Sequence, residues 1–570
     1  MDARAVYESW LSNPKLDDAF RAELTGLPEQ EIRERFFAPL AFGTAGLRGI
    51  MGAGINRMNI YVVGQTTQAF AQVLLGKGPE TAAKGVAISY DCRNNSALFA
   101  RHAASVLAAN GIPVFLFEAM RPTPELSFII RARGCAAGIN ITASHNPKEY
   151  NGYKAYWSDG AQIDDAMAAE ISAARETVDL FDGVKTVDVD AAIADGRITI
   201  LGAETDEQFL QAAVSKQIDR ELTKNSDVSI VYTPFHGTGY RLIPEAFRRA
   251  GLKKVYCVPE QMIPDGNFST VKSPNPEEAE GFALAIGLAR ETGSDLIIAS
   301  DPDADRIGLA VRNGAGEFVT LSGNQTGALL CDYLIRAMKA KNMLPDKCVI
   351  ISTIVSSLLP RRICESNGVS YEETFTGFRF IAERLAKLEQ EGYTFLMGFE
   401  ESYGYMIGSH CRDKDAVTAS LLVAEMAAYY EKQGMTLYDA LQKLYASYGG
   451  YAEKTINLKF PGISGLETMA KLMTSLRNDP PAEIGGTRVA AVRDFLTGVR
   501  RTAAGETSPT ALRGSNVLYY ELADGCVLVI RPSGTEPKIK IYLLARAAER
   551  ETALELVARY AAAAEKLAEA

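Results

Sequence analysis

The chain has 570 residues, 47% of them hydrophobic and 23% charged. That length and balance suit about three to five globular domains with their own cores, and exclude a single small module or wholesale disorder. Sixty Lys+Arg against seventy Asp+Glu leave a net charge of −10, which disfavours non-specific binding to nucleic acid or anionic membrane but leaves room for a local basic site for a small anion.

The first 18 residues carry early acidic positions and no hydrophobic core of a signal peptide, and no apolar run approaches the ~18–20 residues that span a bilayer. A cytoplasmic protein is expected. Residues 1–40 read as helical, with Tyr7, Trp10, Leu11, Phe20, Leu24, Ile32 and Phe36 among charged positions. Apolar runs suited to buried strands then alternate with amphipathic stretches: Val86–Ser89, a helix over Ser96–Asn110, Val114–Phe117 and Ala137–Thr142. The alternation recurs at Ser229–Tyr232, Lys254–Val258 and Asp295–Ser300, and again at Cys348–Ser352 and Phe395–Phe399. This spacing predicts parallel α/β units. Beyond about Gly450, strands at Thr455–Phe460, Val517–Leu522, Cys526–Ile530 and Lys538–Leu544 precede an Ala- and Glu-rich helix, the pattern of an α+β domain. Boundaries fall near 205, 322 and 450, giving domains 1–205, 206–322, 323–450 and 451–570. The eight cysteines form no C-x-x-C, so neither a zinc site nor a thioredoxin-like pair is expected, and the thiols should be reduced.

Four loops carry chemistry. Asp301-Pro302-Asp303-Ala304-Asp305-Arg306 follows an apolar run, and three carboxylates at alternate positions can converge on one hard cation. A solvated acidic turn is the plain alternative. An EF-hand is excluded, because the sixth position is Arg306 and the twelfth Arg312. Thr142-Ala143-Ser144-His145-Asn146-Pro147 closes a strand; Ser144 is either structural or a nucleophile, and no G-x-S-x-G elbow supports acyl transfer. Downstream, Asn151-Gly152 reads as a tight turn that folds Lys154 back towards the serine. Gly398-Phe399-Glu400-Glu401-Ser402-Tyr403-Gly404 is either a sugar-hydroxyl reader or a helix start with acids near its positive end, and His410, Arg412 and Lys414 form a basic cluster after it. Arg531-Pro532-Ser533-Gly534-Thr535-Glu536-Pro537-Lys538 lies between strands with the ingredients of a phosphate cradle, though a plain connection fits as well; Walker A spacing is absent.

As an ordered set, these loops together with Gly43-Thr44-Ala45-Gly46-Leu47-Arg48-Gly49 resemble the α-D-phosphohexomutases, the superfamily of phosphoglucomutase and phosphomannomutase, over nearly the whole chain. The resemblance implies three successive α/β domains with mixed sheets plus a C-terminal α+β domain, around a central cleft. It implies that Ser144 carries the phosphoryl group and that Asp301, Asp303 and Asp305 hold Mg²⁺ together with a phosphoserine oxygen of Ser144. His145 and Lys154 become the candidate proton carriers. Arg48, Arg306, Thr376, Arg379, Glu400, Ser402 and Lys414 would contact substrate, while Arg531, Ser533 and Thr535 grip the idle phosphate. The expected reaction interconverts glucose 1-phosphate and glucose 6-phosphate through bound glucose 1,6-bisphosphate, which also serves as activator. Phosphopentomutase, phosphomannomutase and glucose 1,6-bisphosphate synthase are alternatives, and a non-enzymatic sugar-phosphate binder is the alternative of another class. The expected partner is a small sugar phosphate, with no nucleic acid and no membrane, and the chain a monomer or homodimer.

Overall fold

The computed structural model describes residues 2–44, 46–460, 464–533 and 538–567. It divides into two compact units: Met1–Gly323 with Ser402–Thr436, and Asn324–Glu401 with Leu437–Ala570.

The first unit opens with three short helices, Ala3–Ser12, Asp18–Leu24 and Glu29–Phe36. Asp2 and Asp17 cap the first two by accepting from backbone N–H groups, each such cap being worth about 1 kcal/mol. Tyr7, Trp10, Leu24, Ile32 and Phe36 are buried, and Trp10 meets Phe36 and Phe181 edge-on at 5.5 and 5.3 Å between ring centroids.

A six-stranded sheet follows, in spatial order Leu47–Ile50, Tyr150–Trp157, Ala137–Ile141, Val86–Tyr90, Val114–Phe117, Ile198–Leu201. The last four run parallel, whereas Tyr150–Trp157 is antiparallel to both of its neighbours. The short apolar runs are strands because both sheet faces are covered, so alternation is not required. A second sheet has the order Phe318–Leu321, Ile307–Arg312, Leu296–Ser300, Ser229–Thr233, Lys254–Cys257. Its last three strands are parallel and its first two antiparallel additions. Helix Ala416–Glu431, capped by Asp415, is buried along most of its length.

In the second unit, Cys348–Thr353 lies parallel between Ser370–Thr374 and Thr394–Phe399. The C-terminal part is an antiparallel sheet ordered Gly450–Lys459, Lys538–Ala547, Val527–Pro532, Leu518–Leu522, Thr487–Asp494, Val499–Thr502, Thr507–Pro509. Helices Ser464–Asn478 and Arg550–Leu567 supply Met473, Val557 and Tyr560 to its core. The chain is thus α/β with mixed sheets and ends in an α+β domain. The eight cysteines are free. No helix among the described residues is long and apolar enough to cross a membrane.

Candidate active site

Three chemistry-bearing turns of the first unit sit at carboxyl ends of parallel strands, where an α/β sheet opens a crevice. Asp91 follows Val86–Tyr90, Ser144 follows Ala137–Ile141, and Asp301 follows Leu296–Ser300. Ser144 is buried and left-handed, with φ at +52°, a conformation a serine keeps only when its surroundings impose it. Its backbone N–H donates to Thr142 Oγ1 at 2.8 Å, and Thr142 Oγ1 donates to Asp91 at 2.6 Å. The Ser144 hydroxyl donates to Asp301 Oδ2 at 2.8 Å, and His145 Nδ1 lies 3.2 Å from Ser144 Oγ.

Asp301, Asp303 and Asp305 are fully buried, with ligand atoms within 4.8 Å of one another. Asp301 Oδ1 accepts from the N–H groups of Asp305 and Arg306, both at 3.0 Å. Asp303 Oδ2 accepts from Thr123 Oγ1 at 2.7 Å and from Lys154 Nζ at 2.6 Å. Lys154 also reaches Asp305 at 3.2 Å, as does Lys414. Asp303 Oδ1 and Asp305 Oδ1 are buried and accept no hydrogen bond; Arg306 Nε stands 3.8 Å from the latter. Two oxygens with no donor beside a third carboxylate form a hard donor set that fits Mg²⁺.

Electrostatics agree with that fit. Burial, then the charges of Asp303 and Asp305, pushes the Asp301 carboxyl well above the usual range. Burial also works to raise Asp305, but Lys414, Lys154 and Arg306 outweigh it and hold that carboxyl low. Burial opposes charging of Lys154, yet Asp303 and Asp305 prevail and raise its ammonium. Burial, then Arg306 and Arg48, drives the His145 imidazole well below its ordinary value.

Other predicted residues join this cluster. Arg48 Nη1 donates to Asn146 Oδ1 at 3.0 Å. Its loop depends on Gly46, at φ +73°, where a Cβ would lie 1.8 Å from the Tyr153 carbonyl oxygen. Arg306 contacts Glu277 at 3.2 Å. Lys414 is steadied by Asp413, whose Oδ2 accepts from Tyr156 and Gln162, each at 2.9 Å. Lys154 arrives by a different route from the one the sequence suggested. Asn151 and Gly152 lie inside strand Tyr150–Trp157, not in a tight turn, and Lys154 pairs in register with Asn140. Glycine is needed at 152 because a Cβ would meet the Thr142 and Leu47 carbonyl oxygens at 2.4 and 2.8 Å. Ser402 also lies in this unit, half-buried.

The remaining predicted residues lie in the second unit. Glu400, buried, accepts from the Gly377 N–H at 2.7 Å, which ties it to the turn carrying Thr376. Arg379 follows that turn, its guanidinium 4.0 Å from the Phe380 ring centroid. Burial, then Glu400, pushes the Glu401 carboxyl up to about 7 against the opposing charges of Lys540 and Arg531. Arg531 pairs in register with Lys540, and the Ser533 N–H donates to the Lys538 carbonyl at 2.8 Å. Thr535 lies outside the described residues.

Sequence reasoning missed Thr123, Asp413, Asp91 and Arg93. Asp91-Cys92-Arg93 ends a strand as the recognised loops do, and that shared position was the available signal.

Comparison with known proteins gives one family. Residues 39–180, 207–314 and 322–448 match the phosphoglucomutase/phosphomannomutase alpha/beta/alpha domains I, II and III, and 485–563 match its C-terminal domain. The chain is 36% identical over 564 residues to a Homo sapiens phosphopentomutase, covering 95% of this chain and 91% of the relative. It is 37% identical over 520 residues to a Staphylococcus aureus (strain N315) phosphoglucomutase, covering 90% and 91%. Its fold is similar to the crystal structure of parafusin, a Paramecium phosphoglucomutase, with TM-score 0.67 and 18% identity over 93% of this chain and 96% of that one. Four matched domains in order, with relatives of this identity along nearly the full length, place the chain in the phosphoglucomutase/phosphomannomutase family of the α-D-phosphohexomutase superfamily, as a phosphohexomutase-type isomerase.

Proposed function

We propose that this enzyme interconverts α-D-glucose 1-phosphate and glucose 6-phosphate through phosphorylated Ser144 and a bound glucose 1,6-bisphosphate. The observation that carries the reading is the Ser144 hydroxyl 2.8 Å from Asp301, beside carboxylates with two oxygens that accept no hydrogen bond. In the first half-reaction the bond from phosphorus to Ser144 Oγ breaks and a bond to the sugar hydroxyl oxygen forms. The hydroxyl gives up its proton and Oγ gains one. In the second half the other phosphate returns to Oγ, whose proton leaves towards the groups within reach, Asp301 Oδ2 at 2.8 Å and His145 Nδ1 at 3.2 Å. Phosphoryl transfer has a loose transition state, so positioning and charge neutralisation dominate. Mg²⁺, held by Asp301, Asp303, Asp305 and the Ser144 phosphate, would supply Lewis-acid neutralisation. Lys154 and Lys414 keep Asp303 and Asp305 ionised for that purpose, and Arg306 offers a further cation at the rim. Glu400 and Ser402 are assigned to sugar hydroxyls, Arg48, Thr376 and Arg379 to substrate contact, and Arg531, Ser533 and Thr535 to the idle phosphate.

Ribose 1-phosphate is the second reading, favoured by the phosphopentomutase relative of nearly equal identity. Isomerisation of glucose, mannose and ribose 1-phosphates, each with a catalytic trace of the matching bisphosphate, tests the choice. The glucose ester is expected to have the largest kcat/KM; faster turnover of the ribose ester would replace it as substrate.

A further inference from the structure

Arg93 has none of the catalytic, metal or substrate roles assigned above, yet it is buried at 3% exposure beside the Ser144 loop. Its Nη1 donates to the carbonyl oxygens of Pro147 and Tyr150 at 2.8 and 3.0 Å. Its Nη2 donates to the Ser144 carbonyl at 2.6 Å and to that of Asn146. One planar fork therefore holds four carbonyls of a seven-residue loop, a geometry that a lysine ammonium cannot reproduce. The fork is itself fixed. Arg93 Nε lies 3.3 Å from Asp91 Oδ2, both side chains being fully buried, and the Phe268 ring covers the guanidinium at 5.0 Å from its centroid. Asp91 also accepts from Ser96 Oγ and from the Arg93 N–H, at 2.7 and 2.9 Å.

The pull on the Ser144 carbonyl matters because of where Ser144 sits. Its backbone is left-handed, and relaxation to extended backbone would rotate the Cα–Cβ bond and carry Oγ away from Asp301. Asp91 holds Thr142, which takes the Ser144 N–H, while Arg93 takes the Ser144 carbonyl. Both polar groups of the nucleophile's backbone are thus gripped by a single buried ion pair. We propose that Arg93 is a positioning residue for phosphoryl transfer, holding Ser144 left-handed so that its oxygen faces the metal-binding carboxylates. Asp91 neutralises the guanidinium, so its task is geometric and not the attraction of phosphate. The inference rests on Ser144 being the phosphoryl carrier.

The test combines Arg93→Ala, Arg93→Lys and Ser144→Ala with kinetics and added guanidinium. A displacement of about 1 Å costs on the order of 100-fold in rate. Arg93→Ala is expected to lower kcat by that order while KM for the sugar phosphate stays within about threefold, and millimolar guanidinium should restore at least tenfold where methylammonium does not. Turnover of Arg93→Ala within threefold of the parent, a matching rise in KM, or failure of guanidinium to rescue overturns the proposal. If Arg93→Ala does not fold, Arg93→Lys decides: a slow, folded enzyme with unchanged KM supports it, and a parental rate refutes it. Ser144→Ala, inactive with or without guanidinium, separates the two readings, since residual turnover there removes the nucleophile assignment whatever Arg93 does.

Discussion

The Ser144 hydroxyl donates to Asp301 Oδ2 at 2.8 Å, joining residues 157 positions apart in the chain. Ser144→Ala removes the hydroxyl proposed to carry the phosphoryl group. Turnover is expected to fall by at least ~10³-fold while sugar phosphate still binds, because no substrate-contacting group is lost. Intact-protein mass spectrometry after incubation with the bisphosphate should show the added phosphate in the parent and not in the variant. Unchanged turnover would sink the assignment.

Thr123 Oγ1 donates to Asp303 Oδ2 at 2.7 Å and accepts from Asn140 Nδ2 at the same distance. Thr123→Val keeps the shape and deletes both bonds. Loss of a support to a ligating carboxylate typically weakens metal affinity by about 10–100-fold. The Mg²⁺ concentration for half-maximal activity should rise by that factor, and chelator-treated enzyme should regain activity only at correspondingly higher Mg²⁺. An unaltered Mg²⁺ titration would show that Thr123 does not orient Asp303.

Gly237 touches no reacting group, but a Cβ there would come within 2.4 Å of Pro302 Cα and 2.6 Å of its carbonyl oxygen. Gly237→Ala must therefore shift the backbone between Asp301 and Asp303. Overpacking of this kind costs about 1–3 kcal/mol. Both thermal stability and Mg²⁺-dependent activity are expected to drop, and activity lost without any change in melting temperature would contradict the steric account.

Glu401 provides the pH test. Burial, then Glu400, raises its carboxyl from 4.5 to about 7. Between these values the unfolded chain has released a proton that the folded one keeps, so stability declines as pH rises through this window and the penalty is complete above it. Glu401→Gln escapes the penalty. The variant should match the parent near pH 4 and exceed its unfolding free energy by on the order of 2–3 kcal/mol at pH 8. Denaturant melts at the two pH values read this directly, and a gap that does not widen with pH would refute the raised carboxyl.

Much of the fold was legible. Runs such as Val86–Ser89, Val114–Phe117 and Asp295–Ser300 are continuous apolar segments bounded by turn residues, and each became a central parallel strand. Some antiparallel strands were not. Tyr150–Trp157 carries Asn-Gly, which locally reads as a turn, and Thr487–Asp494 and Val499–Thr502 are interspersed with arginines that break the apolar pattern of a buried strand. Strand pairing overrode those preferences: the Gly152 position admits two carbonyl oxygens, and Glu521 takes Arg493 and Arg500 across the sheet.

Residue types and their order along the chain were enough, without coordinates, to place the family and to single out the serine and the three aspartates as candidates, because loops at strand ends hold the polar groups that cores exclude. Which groups meet was decided by the tertiary structure alone. Lys154 on Asp303, Thr123 behind it and Arg93 gripping the Ser144 carbonyl each join separate elements, and contacts of that kind depend on sheet order and strand register, which no local stretch of sequence encodes.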